Sequence, residues 1–172
     1  MNSSPVSLNV IESKIFLIRG RKVMIDSDLA ELYAVETKNL NKAVHRNIER
    51  FPGDFMFQLD MEETELLRFQ IGTSKAKGGR RYLPYVFTQE GISILSGVLN
   101  SDRAVLVNIA IMRTFVKLRE MIANHEELAR KLSDLEEKYD SQFESVFAAI
   151  RELMSIQTVP QKMIIGLGKK DV

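Results

Sequence analysis

Apolar residues in the first half of the chain recur in both strand-like and helix-like spacing, which predicts short strands mixed with helices. KIFLIRGRKVMI, residues 14–25, consists of two β-rich runs around Arg19 and Gly20, so a β-hairpin is expected there. FMFQL, residues 55–59, alternates like a further strand. The other elements expected in this half are a strand over residues 82–87 and helices from Met61 and from Thr88 or Gln89 through Leu99.

Two helices separated by a turn of three or four residues are predicted directly after the hairpin. Asp26 or Ser27 is expected to cap the first helix. Thr37 is expected to cap the second, which would run to about Arg50 because Pro52 disfavours helix in the residue before it. The spacing therefore predicts a pair of the helix-turn-helix kind.

The second helix has an apolar stripe on one side and a basic stripe on the other. A major groove is wide enough to admit such a helix, whose Lys and Arg neutralise phosphates while Asn and Arg bond to base edges. A solvated basic face without a partner is the alternative, because helix-turn-helix patterns often match by chance. The apolar stripe is Leu40, Val44, Ile48 and Phe51, and the candidate DNA contacts are Lys38, Asn39, Asn41, Lys42, His45, Arg46 and Arg50.

A second basic patch, TSKAKGGRR, occupies residues 73–81. Small and basic residues bury little surface, so an exposed loop or hairpin tip is expected. As a wing beside a DNA-binding helix it would grip the phosphate backbone or reach into a minor groove. The alternative is a flexible loop made soluble by its charge. The candidate contacts in this patch are Lys75, Lys77, Arg80 and Arg81.

A long helical pattern begins at Ser101 and becomes a heptad repeat beyond Leu118. With Leu118 as position a, ten of the twelve a and d positions up to Ile156 are apolar or Tyr. This spacing predicts a coiled coil that joins copies of the chain. The number of helices stays open because several e positions are also apolar. The candidate oligomerisation residues are Leu118, Leu128, Leu132, Leu135, Tyr139, Val146 and Leu153.

Composition and charge narrow the classes of function. The net charge is +1, so the basic character is local to the two patches. The chain has no cysteine, which excludes disulfides and thiolate metal sites and favours a cytoplasmic location. No apolar stretch approaches the roughly 18 residues that span a bilayer. The two histidines are far apart, and His125 lacks the second histidine of a zinc-binding helix. We therefore expect no enzyme activity, no metal and no cofactor.

Two long segments resemble a known family. They are IRGRKVMIDSDLAELYAVETKNLNKAVHRNIERFPGDFMFQL and GGRRYLPYVFTQEGISILSGVLNSDRAVLVNIAIMRTFVKLRE. They are similar to the ORF-six-N domain, a bacterial and phage DNA-binding domain related to KilA-N and BRO-N and often found in phage antirepressor-like proteins. The resemblance covers roughly residues 8–120 and implies DNA binding in prophage or mobile-element regulation, without catalysis or cofactor. Family members commonly have glycine where Ala34 stands and a small residue where Phe69 stands.

The sequence as a whole predicts an α+β fold with three parts. Residues 1–120 are expected to form a small DNA-binding domain with a helix-turn-helix-like helix pair and short β-hairpins. Residues 121–159 are expected to form a long C-terminal coiled-coil helix, and residues 160–172 a flexible tail. The expected function is sequence-specific binding of double-stranded DNA by a phage-type transcription regulator that forms a dimer or higher oligomer. The alternative is an antirepressor-type module that binds a repressor through its coiled coil.

Overall fold

The computed structural model describes residues 6–72, 82–138 and 144–156 and confirms the predicted α+β class. The chain divides within its longest helix, between Thr114 and Phe115, into two compact units. Along the chain the elements are α1 (Leu8–Glu12), β1 (Ile15–Ile18), β2 (Arg21–Ile25), α2 (Asp26–Tyr33), α3 (Thr37–Arg46), β3 (Met56–Gln58), α4 (Met61–Ile71), β4 (Tyr85–Thr88), α5 (Gln89–Leu99), α6 (Asp102–Lys138) and α7 (Glu144–Ile156).

The four strands form one antiparallel sheet in the order β1-β2-β4-β3. The predicted hairpin of β1 and β2 is confirmed, and its turn residues Arg19 and Gly20 have φ angles of 52° and 72°. Positive φ at both central residues is the conformation that lets a two-residue turn follow the twist of its strands. Strand β4 lies between β2 and β3, so Phe87 stands opposite Met24 on one side and Met56 on the other.

The turn of this hairpin is attached to α4 by a bidentate ion pair. Arg19 Nε and Nη2 donate to Glu63 Oε1 and Oε2 at 2.6 and 2.8 Å, and the guanidinium lies 4.6 Å from the centre of the Phe57 ring. Glu63 also accepts from the backbone N–H of Asp60, whose own carboxylate accepts from the Glu63 N–H. This capping box starts α4, and its Glu63 also holds α4 to the hairpin turn through Arg19.

Both faces of the sheet are buried. Neighbouring residues along a strand point to opposite faces, so two consecutive buried residues indicate that each face is covered. Val23 and Val86 belong to one buried cluster, together with Leu67 of α4. Met24 and Phe87, the next residues along the same strands, are also fully buried. Phe51 meets Phe87 edge to face, with ring centres 6.0 Å apart. The first cluster consists of Phe16, Ile18, Val23, Ile25, Leu59, Leu67 and Val86.

A buried polar contact joins α2, α5 and the first part of α6. The Tyr33 hydroxyl donates to Asn108 Oδ1, and Asn108 Nδ2 donates to the carbonyl of Ile92 at 2.9 Å. Burial raises the pKa of Tyr33, which keeps its hydroxyl protonated and able to donate. Each polar atom of this contact therefore has a partner inside the core.

The heptad region forms two helices instead of one. His125 Nε2 lies 3.4 Å from the carbonyl oxygen of Met154, and Arg151 forms an ion pair with Glu136. In one straight helix, positions 125 and 154 would be about 43 Å apart at about 1.5 Å per residue. Helix α7 therefore folds back along α6, and the two form an antiparallel helical hairpin. The single helix predicted over residues 121–159 is corrected accordingly.

The turn between α2 and α3 contains a strained alanine. Ala34 has φ 57° and ψ 44°, the left-handed region, at the position where the resemblance to the ORF-six-N domain implies glycine. A Cβ in this conformation costs about 1 kcal/mol, and the Ala34 side chain is exposed, so little packing would be lost by removing it.

We expect Ala34→Gly to raise the free energy of unfolding by about 1 kcal/mol, because glycine adopts the left-handed region without strain. Thermal denaturation should show a melting temperature higher by about 2–4 °C. Ala43→Gly, inside α3, is the control and should lower the stability by about 1 kcal/mol. A loss of stability in both variants would contradict the strain at position 34.

Candidate nucleic-acid interface

Helices α2 and α3 form the helix-turn-helix-like pair that the sequence predicts. The turn comprises the three residues Ala34 to Glu36. The N–H of Ala34 donates to the carbonyl of Glu31 at 3.1 Å, and that of Val35 donates to Ala30 at 2.9 Å. These bonds occupy carbonyls at the end of α2 that have no partner within the helix. The turn is therefore ordered by the backbone itself.

A buried carboxylate fixes the orientation of α3. Asp26 is fully buried at the start of α2. Its Oδ2 accepts from Asn41 Nδ2 at 2.8 Å and from the backbone N–H of Tyr85 at 3.3 Å, while Oδ1 accepts from the Ser27 N–H at 2.8 Å. One side chain thus joins α2, α3 and β4. Asn41, predicted as a DNA contact, is half-buried and uses its amide to position α3.

The inner side of α3 is apolar and its outer side is basic. Leu40 and Val44 are buried, as predicted. Lys38, Lys42 and Arg46 are exposed, and none of them is paired with a described residue. At about 100° per residue, the exposed polar residues fall within about 120° of the helix circumference. We call this set the α3 basic face; it consists of Lys38, Asn39, Lys42, His45 and Arg46.

His45 is held at one edge of the α3 basic face. Its Nδ1 lies 2.7 Å from the carbonyl oxygen of Asn41, and its Nε2 lies 3.4 Å from the hydroxyl of Tyr85. A carbonyl can only accept, so Nδ1 carries the proton and, in the neutral ring, Nε2 accepts from the hydroxyl. The two rings meet edge to face at 5.4 Å. Tyr85 therefore orients a predicted contact residue, a role that the sequence analysis missed.

Helix α3 ends four residues earlier than predicted. Asn47 follows with φ −124°, and its side-chain amide donates to the carbonyl of Ala43 at 2.9 Å. A 3-10 turn over Ile48–Arg50 comes next, so the exposed Arg50 does not continue the row of Lys38, Lys42 and Arg46. Ile48 was assigned to the apolar stripe, and this is wrong: it is exposed, whereas Phe51 is buried as expected. An Asn side chain that bonds to a carbonyl four residues back competes with continuation of the helix.

The remaining candidate contacts, Lys75, Lys77, Arg80 and Arg81, lie outside the described residues. Asp26 belongs to the site through its bonds to Asn41 and Tyr85, although its sequence position suggested only a helix cap. The signal in the sequence was an acidic residue between an apolar strand and the helix pair. That signal does not identify partners 15 and 59 positions away.

The described residues contain neither a cluster of metal-binding side chains nor a membrane-spanning helix. Among residues 6–72, 82–138 and 144–156, no group of three or more His, Asp or Glu side chains is placed to hold a metal ion. None of the helices in the same ranges combines the length and the hydropathy that crossing a bilayer requires.

Comparison with protein families matches the ORF6N domain to residues 13–98, half of the chain. This is the ORF-six-N domain that the two quoted segments resemble. The matched range contains all four strands of the sheet, together with α2, its turn and α3, and stops before α6. Comparison with curated proteins and with solved structures gave no match. The family match spans the whole candidate interface, and the chain belongs to the ORF6N domain family.

Proposed function

We propose that this chain is a phage-type transcription regulator that binds double-stranded DNA through the α3 basic face. The observation that carries the proposal is that Lys38, Lys42 and Arg46 are exposed and unpaired among the described residues, on a helix whose other side is buried. Membership of the ORF6N family is consistent with a phage-type regulatory or DNA-binding role.

The dimensions and charge of α3 suit the major groove. The row from Lys38 to Arg46 spans about 12 Å along the helix axis, at about 1.5 Å per residue. The groove is about 12 Å wide and admits one helix. Long Lys and Arg side chains at both ends of the row then reach phosphates, and each neutralised phosphate releases counterions. The ten residues of α3 include no Asp or Glu that would repel the DNA.

The side chains on this face divide into two roles. Lys38 and Lys42 are point charges suited to phosphates, which position the protein without reading sequence. Arg46 can bond bidentately to guanine and Asn39 to adenine, which are contacts that specify a base. Asn41 is assigned to neither role because its amide donates to Asp26. The proposal thus assigns sequence specificity chiefly to Arg46 and Asn39.

Titrations of wild type, Lys42→Ala and Arg46→Ala against genomic fragments and a random duplex, at several salt concentrations, test the proposal. We expect Lys42→Ala to weaken binding to all duplexes and to lower the salt slope of log K by about 0.9, because one phosphate contact is lost. Arg46→Ala should mainly reduce the preference for specific over random DNA.

Lys117→Ala is the matched control, since it removes an exposed cation of α6 and should leave both quantities unchanged. Equal affinity of all four proteins for every duplex, with unchanged circular dichroism, would contradict the proposal. The α3 basic face would then be a solvated surface. The alternative function, an antirepressor-type module that binds a repressor through α6 and α7, would take its place.

A further inference from the structure

The helical hairpin of α6 and α7 has an apolar face that no described residue covers. Two contacts, His125 with Met154 and Glu136 with Arg151, fix the sides on which the two helices meet. Beside this seam, large apolar side chains remain between 38% and 61% exposed. We call them the hairpin face; they are Met121, Leu128 and Leu135 of α6 and Val146, Ile150 and Leu153 of α7.

These six side chains lie on the same side of the helical hairpin. Successive residues of a helix are turned by about 100° around its axis. On this basis the α6 members lie about 40–80° around the helix from His125, and the α7 members lie about 40–100° around the helix from Met154. The direction of rotation is the same in both helices when each is viewed along its own chain direction. Because the helices run in opposite directions, rotation in the same sense brings both rows to one side. The heptad spacing of Met121, Leu128 and Leu135 keeps the α6 row close to the helix axis direction, with a drift of only about 20° per heptad.

We propose that the hairpin face pairs with the same face of a second copy of this chain to form a four-helix bundle. An apolar face made of two antiparallel helices is self-complementary about a two-fold axis, which is the commonest symmetry of homo-oligomers. Helices packed about 20° from antiparallel around an apolar core are the usual form of such bundles. The second copy thus supplies the burial that one helical hairpin lacks.

The size of the hairpin face agrees with this occupant. A small aromatic side chain has a surface of roughly 150 Å², and an aliphatic side chain has somewhat less. Six aliphatic side chains at about half exposure therefore expose on the order of 400 Å² of apolar surface per chain. Two copies would bury about 800 Å² of apolar surface and about 1,200 Å² in total, since homodimer interfaces are about 65% apolar. A specific interface needs at least about 1,000 Å².

The heptad residues divide between two interfaces, the seam between α6 and α7 within one chain and the proposed contact between two copies. Leu132 is half-buried on the side of α6 that carries His125 and Glu136, and Leu118 is buried. Both are therefore used within the chain. Of the other predicted oligomerisation residues, Tyr139 lies outside the described residues, and Leu128, Leu135, Val146 and Leu153 belong to the hairpin face.

Sedimentation equilibrium of the full chain tests the pairing. We expect wild type to be dimeric at micromolar concentration. The double variant Leu128→Glu, Leu153→Glu should associate at least about 30-fold more weakly, because the bundle would bury four carboxylates. Ile122→Glu is the matched control: Ile122 is 47% exposed on the same helix but lies on the other side of the seam. It should dimerise like wild type, and circular dichroism should show equal helix content in all three proteins.

A charge-swap mixture identifies the occupant of the face. The variant Leu128→Lys, Leu153→Lys should be monomeric alone but should form a heterodimer with the Glu variant, because opposite charges then meet across the two-fold axis. A wild type that stays monomeric, a mixture that does not associate, or a control as weak as the Glu variant would each overturn the proposal. A different protein, or another part of the same chain, would then be the partner of the hairpin face. None of these samples contains DNA, so the result is independent of the function proposed for α3.

Discussion

Replacement of Gly91 by alanine is expected to lower the free energy of unfolding by about 3 kcal/mol. A Cβ at position 91 would lie 2.2 Å from the carbonyl oxygen of Phe55 and 3.0 Å from its carbonyl carbon. Both are backbone atoms, so α5 would have to move away from residue 55. The same carbonyl accepts from the Thr88 N–H at 3.0 Å and from its hydroxyl at 3.2 Å. The shift would strain both bonds, and overpacking of this kind costs about 1–3 kcal/mol or more.

The matched control for Gly91 lies in the same helix. At the exposed Gly97, an added methyl group would have no neighbouring atom within 4 Å. Gly97→Ala should therefore raise the stability by about 0.5–1 kcal/mol, because alanine favours helix. Urea denaturation followed by circular dichroism measures both changes. A Gly91→Ala protein as stable as Gly97→Ala would show that α5 does not approach Phe55 this closely.

Removal of the Asp26 carboxylate is also expected to cost about 3 kcal/mol. Asp26→Ala leaves the Asn41 amide and the half-buried N–H of Tyr85 without their acceptor, and each unmade bond of this kind costs about 1–3 kcal/mol. Because Asp26 joins α3 to β4, DNA affinity should fall together with stability. Urea denaturation and the DNA titration should therefore both detect the change.

A double-mutant cycle separates the Asp26–Asn41 bond from the other effects of the substitution. If the bond is real, the double variant Asp26→Ala, Asn41→Ala should lose about 1 kcal/mol less stability than the two single variants lose in sum. Asn39→Ala is the control, since Asn39 is exposed on the same helix and should change stability by less than about 0.5 kcal/mol. Additive effects of Asp26→Ala and Asn41→Ala would contradict the bond.

Local signals in the sequence predicted most of the domain correctly. Arg19 and Gly20 identified the hairpin turn, and the period of apolar residues identified α2, α3, α4 and α5, because these features depend on neighbours along the chain. Helix α1 was not predicted, since its five residues are too few to show a period. Short elements of this kind are held by tertiary packing, here through the fully buried Ile11.

The period of apolar residues does not show which side chains become partners in the fold. Asn41 was predicted as a DNA contact from its residue type and helical position, and only the fold shows that its amide donates to Asp26. The heptad repeat predicted one helix that pairs with other copies of the chain, whereas the structure pairs α6 with α7 of the same chain. The pairing of copies stays a prediction. An a/d seam has the same pattern whether it packs against α7 or against another copy. At the early end of α3, the side chain of Asn47 donates to the carbonyl of Ala43.

The central place of β4 in the sheet has a consequence for synthesis of the protein on the ribosome. Strands β1 and β2 and helices α2 and α3 precede β4 in the chain. Strand β4 lies between β2 and β3 in the sheet and carries the Tyr85 N–H that bonds to Asp26, but it is synthesised only after α4. A nascent chain that has emerged only as far as α4 can form the first hairpin and local helix, but its Asp26 is incompletely bonded and its sheet is open. Asp26 therefore gains its bond to the Tyr85 N–H only after β4 has emerged, so the final orientation of α3 depends on a strand made late in synthesis of the domain.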